Sequence, residues 1–218
     1  MPQIFPRSAN AGARASIIGT LLLLVGALLF LDTFSRSNYQ TQQSIIREQP
    51  VQFSHARHVA GNGIDCRYCH SSVEESNFAG IPPVETCMTC HSQVLKEAPI
   101  LAPVRTAFNG GAPLEWIRVH DVGDFVYFNH SIHVNKGVGC VTCHGPIEKM
   151  ALTWQENTLQ MQWCLDCHRD PGQFLRPKDR VFDVDYKAPD NQRVLGDSLV
   201  KAYNIHVEQL TNCSICHR

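Results

Sequence analysis

All ten cysteines of this 218-residue chain fall into five copies of one pattern, Cys-x-x-Cys-His. The copies are Cys66, Cys69 and His70; Cys87, Cys90 and His91; Cys140, Cys143 and His144; Cys164, Cys167 and His168; and Cys213, Cys216 and His217. Two thiols three positions apart on a helical turn reach two vinyl groups along one edge of a porphyrin, and the adjacent histidine lands under its iron. The pattern therefore predicts five covalent c-type haems, with the five motif histidines as proximal iron ligands. A disulfide framework or zinc ribbons would also use paired cysteines. Zinc would take the pairs two at a time, which five pairs cannot satisfy, and neither alternative explains a histidine after every second cysteine.

The sixth coordination position decides what each iron can do: left open it binds small ligands, closed by a second histidine it makes a low-spin electron carrier, and methionine raises the potential. Six histidines remain, His55, His58, His120, His130, His133 and His206, for five irons. That surplus favours closed, electron-carrying sites. His120, in Trp116-Ile117-Arg118-Val119-His120, is the spare, either a ligand or a partner of a propionate or backbone group. Met150 and Met161 are alternative sixth ligands, with packing against a porphyrin as the plainer reading. Tyr68 and Tyr203 read as ring-packing residues.

The spacing of the motifs reveals how the chain positions them. Sixteen residues separate His70 from Cys87, forty-eight separate His91 from Cys140, nineteen separate His144 from Cys164, and forty-four separate His168 from Cys213. Short and long gaps alternate, as a tandem repeat makes them. Phe53-Ser54-His55-Ala56-Arg57-His58 before the first motif reappears as Phe128-Asn129-His130-Ser131-Ile132-His133 before the third. A third, partial copy keeps His206 at the position of His133 but has Tyr203 at that of His130. The organisation expected is a two-haem unit with its linker at 50–125, a second at 126–199, and a one-haem unit at 200–218. Turn-rich stretches such as Gly80-Ile81-Pro82-Pro83 and Asp170-Pro171-Gly172-Gln173 break any long helix. The fold class expected is mostly α with extensive loops, organised around the haems, which must supply much of the buried apolar surface.

Residues 15–34 are apolar apart from Ser16, Thr20, Thr33 and Asp32, about the 20 residues that a bilayer requires. No small-x-small cleavage site follows, so the stretch reads as an uncleaved transmembrane signal anchor rather than a signal peptide. Arg7 and Arg14 precede it and only Arg36 follows closely, which puts residues 1–14 in the cytoplasm as a tail. The linker 35–49 and the haem region are then periplasmic, the side on which bacteria attach haem. The tail is long enough to suggest a partner subunit holding it. The formal charge of −1 omits ten propionates, so the loaded protein is acidic, and nucleic-acid binding has no support.

The Phe-x-His-x-x-His pair ahead of a haem motif resembles the class III multihaem cytochromes. That resemblance implies that the first histidine serves the haem just downstream, His55 the first and His130 the third. His58, His133 and His206 are left for the second, fourth and fifth in an unspecified order. The anchor, five motifs, Val51-Gln52-Phe53-Ser54-His55-Ala56-Arg57-His58, Gly80-Ile81-Pro82-Pro83-Val84-Glu85-Thr86-Cys87 and Asp124-Phe125-Val126-Tyr127-Phe128-Asn129-His130 together resemble the pentahaem subunit of alternative complex III.

This second resemblance implies an electron relay that has no catalytic site of its own, within a plasma-membrane assembly. Its partners would be an iron–sulfur subunit, a monohaem cytochrome c and polytopic quinol-binding subunits, with a periplasmic cytochrome c, a cupredoxin or an oxidase as acceptor. The rival readings are a small anchored quinol dehydrogenase, and a haem enzyme or gas sensor with one five-coordinate iron. The charged segment 176–186 is a candidate partner surface or a solvated loop.

Overall fold

The computed structural model describes residues 5–217, apart from the side chain of Arg7. The first four residues of the expected tail and Arg218 lie outside the described residues. The chain forms two compact units, one up to Gln42 and one from Gln43 onward.

In the first unit, α1 (Arg7–Ser35) is a 29-residue helix. It starts well before the apolar stretch, because Ala9, Ala11, Ala13 and Ala15 are strong helix formers and no proline follows Pro6. Its segment from Ser8 to Ser35 is long and apolar enough to cross a membrane, with an 18-residue window of mean hydropathy 2.3. Thr33 satisfies its hydroxyl by donating to the Leu29 carbonyl at 2.9 Å, as hydroxyls do inside apolar helices. A short turn, α2 (Asn38–Thr41), ends this unit with Gln42 in the left-handed region at φ 59°.

The second unit is built from short helices, and each Cys-x-x-Cys-His motif sits on one: α3 (Cys66–Cys69), α4 (Val84–His91), α7 (Cys140–His144), α8 (Met161–Arg169) and α10 (Cys213–Cys216). Between them lie α5 (Ala102–Phe108), α6 (His130–Asn135) and α9 (Gln192–Ala202). A π-helical turn at Ala56–Gly61 carries His58. Among the described residues there is no strand, only isolated bridges such as Val126 with His217 and Val138 with Leu175. The mostly helical, loop-rich class expected from the sequence is what the chain adopts.

Local signals set the motif helices. The Asp65 carboxylate accepts from the Arg67 amide at 2.8 Å and caps α3, and Asn129 caps α6 by accepting from the Ile132 amide at 3.3 Å. Where α9 crosses the turn at Pro171–Gln173, Gly196 rests on Gly172, and a Cβ at Gly196 would collide with the Gly172 carbonyl. Gln192 locks the crossing by donating to the carbonyls of Gly172 and Leu175 at 2.9 and 2.8 Å.

The protein's own core is small. Among the described residues, the buried apolar side chains besides Pro171 are Val51, Val73, Leu101, Val104, Val134, Met150, Leu175 and Val181. They form patches rather than one core: Val51, Leu101 and Val104 against Met88 and Trp116, and Val73, Val134 and Val181 against Phe182. A chain of this length ordinarily buries far more, so the haem-motif region depends on apolar matter beyond its own side chains.

Candidate haem-binding site

The histidines meet in pairs. The rings of His58 and His91 have centroids 6.1 Å apart, those of His133 and His168 6.2 Å, and those of His130 and His144 6.4 Å. Metal–imidazole bonds of about 2 Å on either side of one ion set two ring centroids roughly 6 Å apart, so these gaps each match one metal ion. Each pair joins one motif histidine to one histidine from a Phe-x-His-x-x-His segment. The second histidine of each segment reaches the motif after next, in both copies.

Ring orientation is prepared from outside. His58 Nδ1–H donates to the Ser54 carbonyl at 2.8 Å, His133 to Asn129 at 2.7 Å and His130 to Asn77 at 3.0 Å. The motif histidines do the same: His70 to Gly80 at 2.7 Å, His91 to Val94 at 3.0 Å, His168 to Leu210 at 2.9 Å and His217 to Phe125 at 3.1 Å. Gly80 can present its carbonyl because its φ of +81° is open to glycine. A bonded Nδ1–H leaves Nε2 as the lone-pair nitrogen, the arrangement that metal-ligating histidines use. Phe53 stacks on His58 at 4.3 Å and Phe128 on His133 at 4.5 Å, which explains the phenylalanine in the repeated segment.

Burial favours the neutral form, the one that binds iron, at His55, His120, His133 and His144. Desolvation, then the neighbouring charges of His70, His58 and His120, lowers His55 to about 4. Desolvation likewise lowers His144 to about 3, with His120 and His130 adding, and His120 to about 4, with His130 adding. His55 Nδ1 faces the Thr153 hydroxyl at 3.1 Å.

The remaining candidates are placed differently. His120 packs edge-on against His144 with centroids 4.3 Å apart, too close for the two rings to face one ion, and its buried Nε2 has no hydrogen-bond partner. His206 is exposed, with Nδ1 3.5 Å from a Glu208 carboxylate oxygen. Met150 is fully buried in the core, whereas Met161 is 65% exposed. Tyr203 donates its hydroxyl to the Arg176 carbonyl at 3.4 Å. Tyr68, in the first motif, is hydrogen-bonded to Thr89 of the second at 2.9 Å.

The motifs neighbour one another in an order that differs from the sequence. Tyr68–Thr89 joins the first to the second. The thiols of Cys66 and Cys140 lie beside each other, which places the first next to the third. Burial pushes the Cys143 thiol up to about 12, and the charges of Cys167 and Cys164 add to it, so the third lies beside the fourth. The bond from His168 to Leu210 joins the fourth to the segment leading into the fifth. The segment 176–186 is folded in at Arg176 and Val181, and keeps Lys178, Asp179, Arg180 and Asp185 on the surface.

Donor chemistry, ring spacing and the small protein core all fit c-type haem. Among the described residues, no three His, Cys, Asp or Glu side chains gather to hold a metal by themselves, whereas a porphyrin brings four equatorial nitrogens and needs only two axial histidines.

Comparison with known proteins agrees. The family of cytochrome c7 and related cytochromes c matches residues 126–218, and the class III cytochrome c family matches residues 32–107. The menaquinone reductase multiheme cytochrome c subunit of Nitratidesulfovibrio vulgaris is 31% identical over 172 residues, 78% of this chain and 68% of that protein. The chain thus belongs to the multihaem cytochrome c family, electron-transfer proteins that carry covalent haem and are not enzymes by themselves.

Proposed function

We propose that this chain is the membrane-anchored pentahaem relay of a quinol-oxidising complex of the alternative complex III kind. Electrons would leave it for a periplasmic cytochrome c, a cupredoxin or an oxidase. The observation that carries the reading is the row of neighbouring motifs, second, first, third, fourth, fifth, each with a histidine ready for iron. The bound haems supply one-electron chemistry. The chain's own residues attach them, hold the imidazoles in one tautomer and set the spacing.

In this reading the thioether residues are Cys66, Cys69, Cys87, Cys90, Cys140, Cys143, Cys164, Cys167, Cys213 and Cys216. The iron pairs are His55 with His70, His58 with His91, His130 with His144, His133 with His168, and His206 with His217. The two duplicated units, 50–125 and 126–199, then meet through their first haems, and the unit at 200–218 extends the row by one. Residues 15–34 anchor the chain with its N-terminus in the cytoplasm. Arg7 and Arg14 precede the span, whereas Arg36 beyond it is paired with Asp32 at 3.0 Å. Quinol would bind on polytopic partners, next to an iron–sulfur subunit and a monohaem cytochrome.

A second reading reverses the electron flow, from a soluble donor to the quinone pool. It is favoured by the name of the Nitratidesulfovibrio relative, a subunit of a menaquinone reductase. One experiment tests both: extract the native assembly in mild detergent, identify its subunits by mass spectrometry, and add menaquinol without oxygen. Reduction of the haems by quinol, reversed by a periplasmic acceptor, supports the first reading. Haems that quinol leaves oxidised, but that a low-potential cytochrome reduces and a quinone reoxidises, support the second. Recovery of this chain without partners defeats both.

A further inference from the structure

The side chain of Arg176 is 6% exposed, and its guanidinium lies against the helix of the third motif. Its backbone amide donates to the Gly137 carbonyl at 2.9 Å, which draws the residue under the motif. The guanidinium fills the space a side chain at Gly139 would take, since a Cβ there would overlap the guanidinium carbon. One terminal nitrogen is 3.5 Å from the Thr142 hydroxyl, between Cys140 and Cys143. The other donates to the carbonyls of Asp183 at 3.1 Å and Arg180 at 3.5 Å, and the Tyr186 ring lies 4.6 Å from the guanidinium carbon. Nε is buried with no partner.

No carboxylate pairs with this cation among the described residues. Asp183, whose charge reaches Arg176, is itself paired with Arg180 at 2.7 Å. A buried arginine stays charged, and one answered by carbonyl dipoles, a hydroxyl, a ring face and a shared carboxylate but by no ion pair of its own is stabilised further by added negative charge nearby. Reduction supplies that charge, since conversion of Fe(III) to Fe(II) adds one electron, delivered by the neighbouring haem, to a porphyrin bonded on either side of Thr142.

We propose that Arg176 is the fixed positive charge that raises the reduction potential of the haem held by Cys140 and Cys143. The Coulomb attraction acts in the reduced state beyond what the oxidised state feels, and low local dielectric keeps it from being screened. The haem at Cys66, beside Cys140, feels a weaker form of the same field. The middle of the row thus holds an electron more readily than it would by its axial histidines alone. The proposal rests on the pentahaem reading only in that the third motif carries haem.

The test is a redox titration of the purified full chain with all haems counted by mass. Arg176→Gln is expected to move one midpoint to lower potential, with a smaller shift in a second, while Lys187→Gln, at an exposed position just beyond the segment, moves none. Five haems with unchanged midpoints in Arg176→Gln overturn the proposal. Should that variant fail to load haem, Arg176→Lys decides, because a buried ammonium sheds its proton within reach, between about pH 6 and about pH 10, where arginine stays charged. One midpoint in the lysine variant should then fall with rising pH relative to the native protein. Midpoints parallel to the native ones, or loss of haem from this variant too, assign Arg176 a packing role and overturn the proposal. Fewer than five haems on the native chain would instead defeat the pentahaem reading.

Discussion

The rings of His133 and His168 face each other with centroids 6.2 Å apart and planes 21° apart. His58 and His91 repeat the relationship at 6.1 Å but with planes crossed at 65°. Both pairs join the second histidine of a repeated segment to a motif that lies beyond the next one in the chain. Each duplicated unit therefore ties its own two motifs together, the first through the turn at Ala56–Gly61 and the second through α6.

This relationship separates the roles of adjacent histidines. His130→Ala should convert the third haem to high spin, and His133→Ala the fourth, each leaving the other four low spin and all five attached. His55→Ala should do the same to the first. Magnetic circular dichroism with a haem count checks each, and a variant that keeps five low-spin haems refutes its pairing.

The plane angles predict different spectra. Near-parallel axial imidazoles split the iron d orbitals more than crossed ones do, and His130 with His144 lie 8° apart. The second haem, with crossed rings, should show a more anisotropic low-spin electron paramagnetic resonance signal than the third and the fourth. His58→Ala should abolish that signal and leave the more rhombic ones.

Haem removal should unfold the region from Gln43 onward. Its buried apolar side chains form separate small patches, too little to offset the conformational entropy of so many ordered residues. Chain made without haem attachment should show little helix by circular dichroism and be cut readily by protease.

The crossing of α9 on the turn at Pro171–Gln173 tolerates no methyl group. Gly196→Ala should cost about 1–3 kcal/mol through overpacking against the Gly172 carbonyl. A lowered melting temperature with normal haem spectra is the expected result, and an unchanged one would contradict the close contact.

Asp65 gives a pH dependence of known sign. Its side-chain hydrogen bonds with Arg67 hold its carboxyl below its ordinary value. The stabilisation is fully present above that value and is lost as pH falls through the lower native one. The pair is about half exposed, so Asp65→Asn should cost less than about 1 kcal/mol at neutral pH. Thermal melts of native and variant protein should differ at neutral pH and converge as the pH falls below the ordinary aspartate range.

Much of this protein is written locally. The spacing within Cys-x-x-Cys-His is the chemistry of haem attachment, so the cofactor class and the helical turn under each motif follow from five residues at a time. The apolar run of α1 and the glycines and prolines that keep the other helices short are equally local. Other signals were present but mute: Phe53 and Phe128 stood in the repeat with no stated purpose until their rings were found stacked on His58 and His133.

Only the tertiary structure decided which rings meet, because His133 and His168 are far apart in the chain and each histidine type is alike in sequence. The same holds for the order of the motifs. The first meets the third where Cys66 and Cys140 come together, a contact between distant parts of the chain that no spacing encodes. Arg176 was one charge in a charged segment. Its burial depends on the motif helix with Gly139 and Thr142 meeting the segment that carries Arg176 and Tyr186, and that convergence turns a surface-type residue into a fixed charge inside the protein.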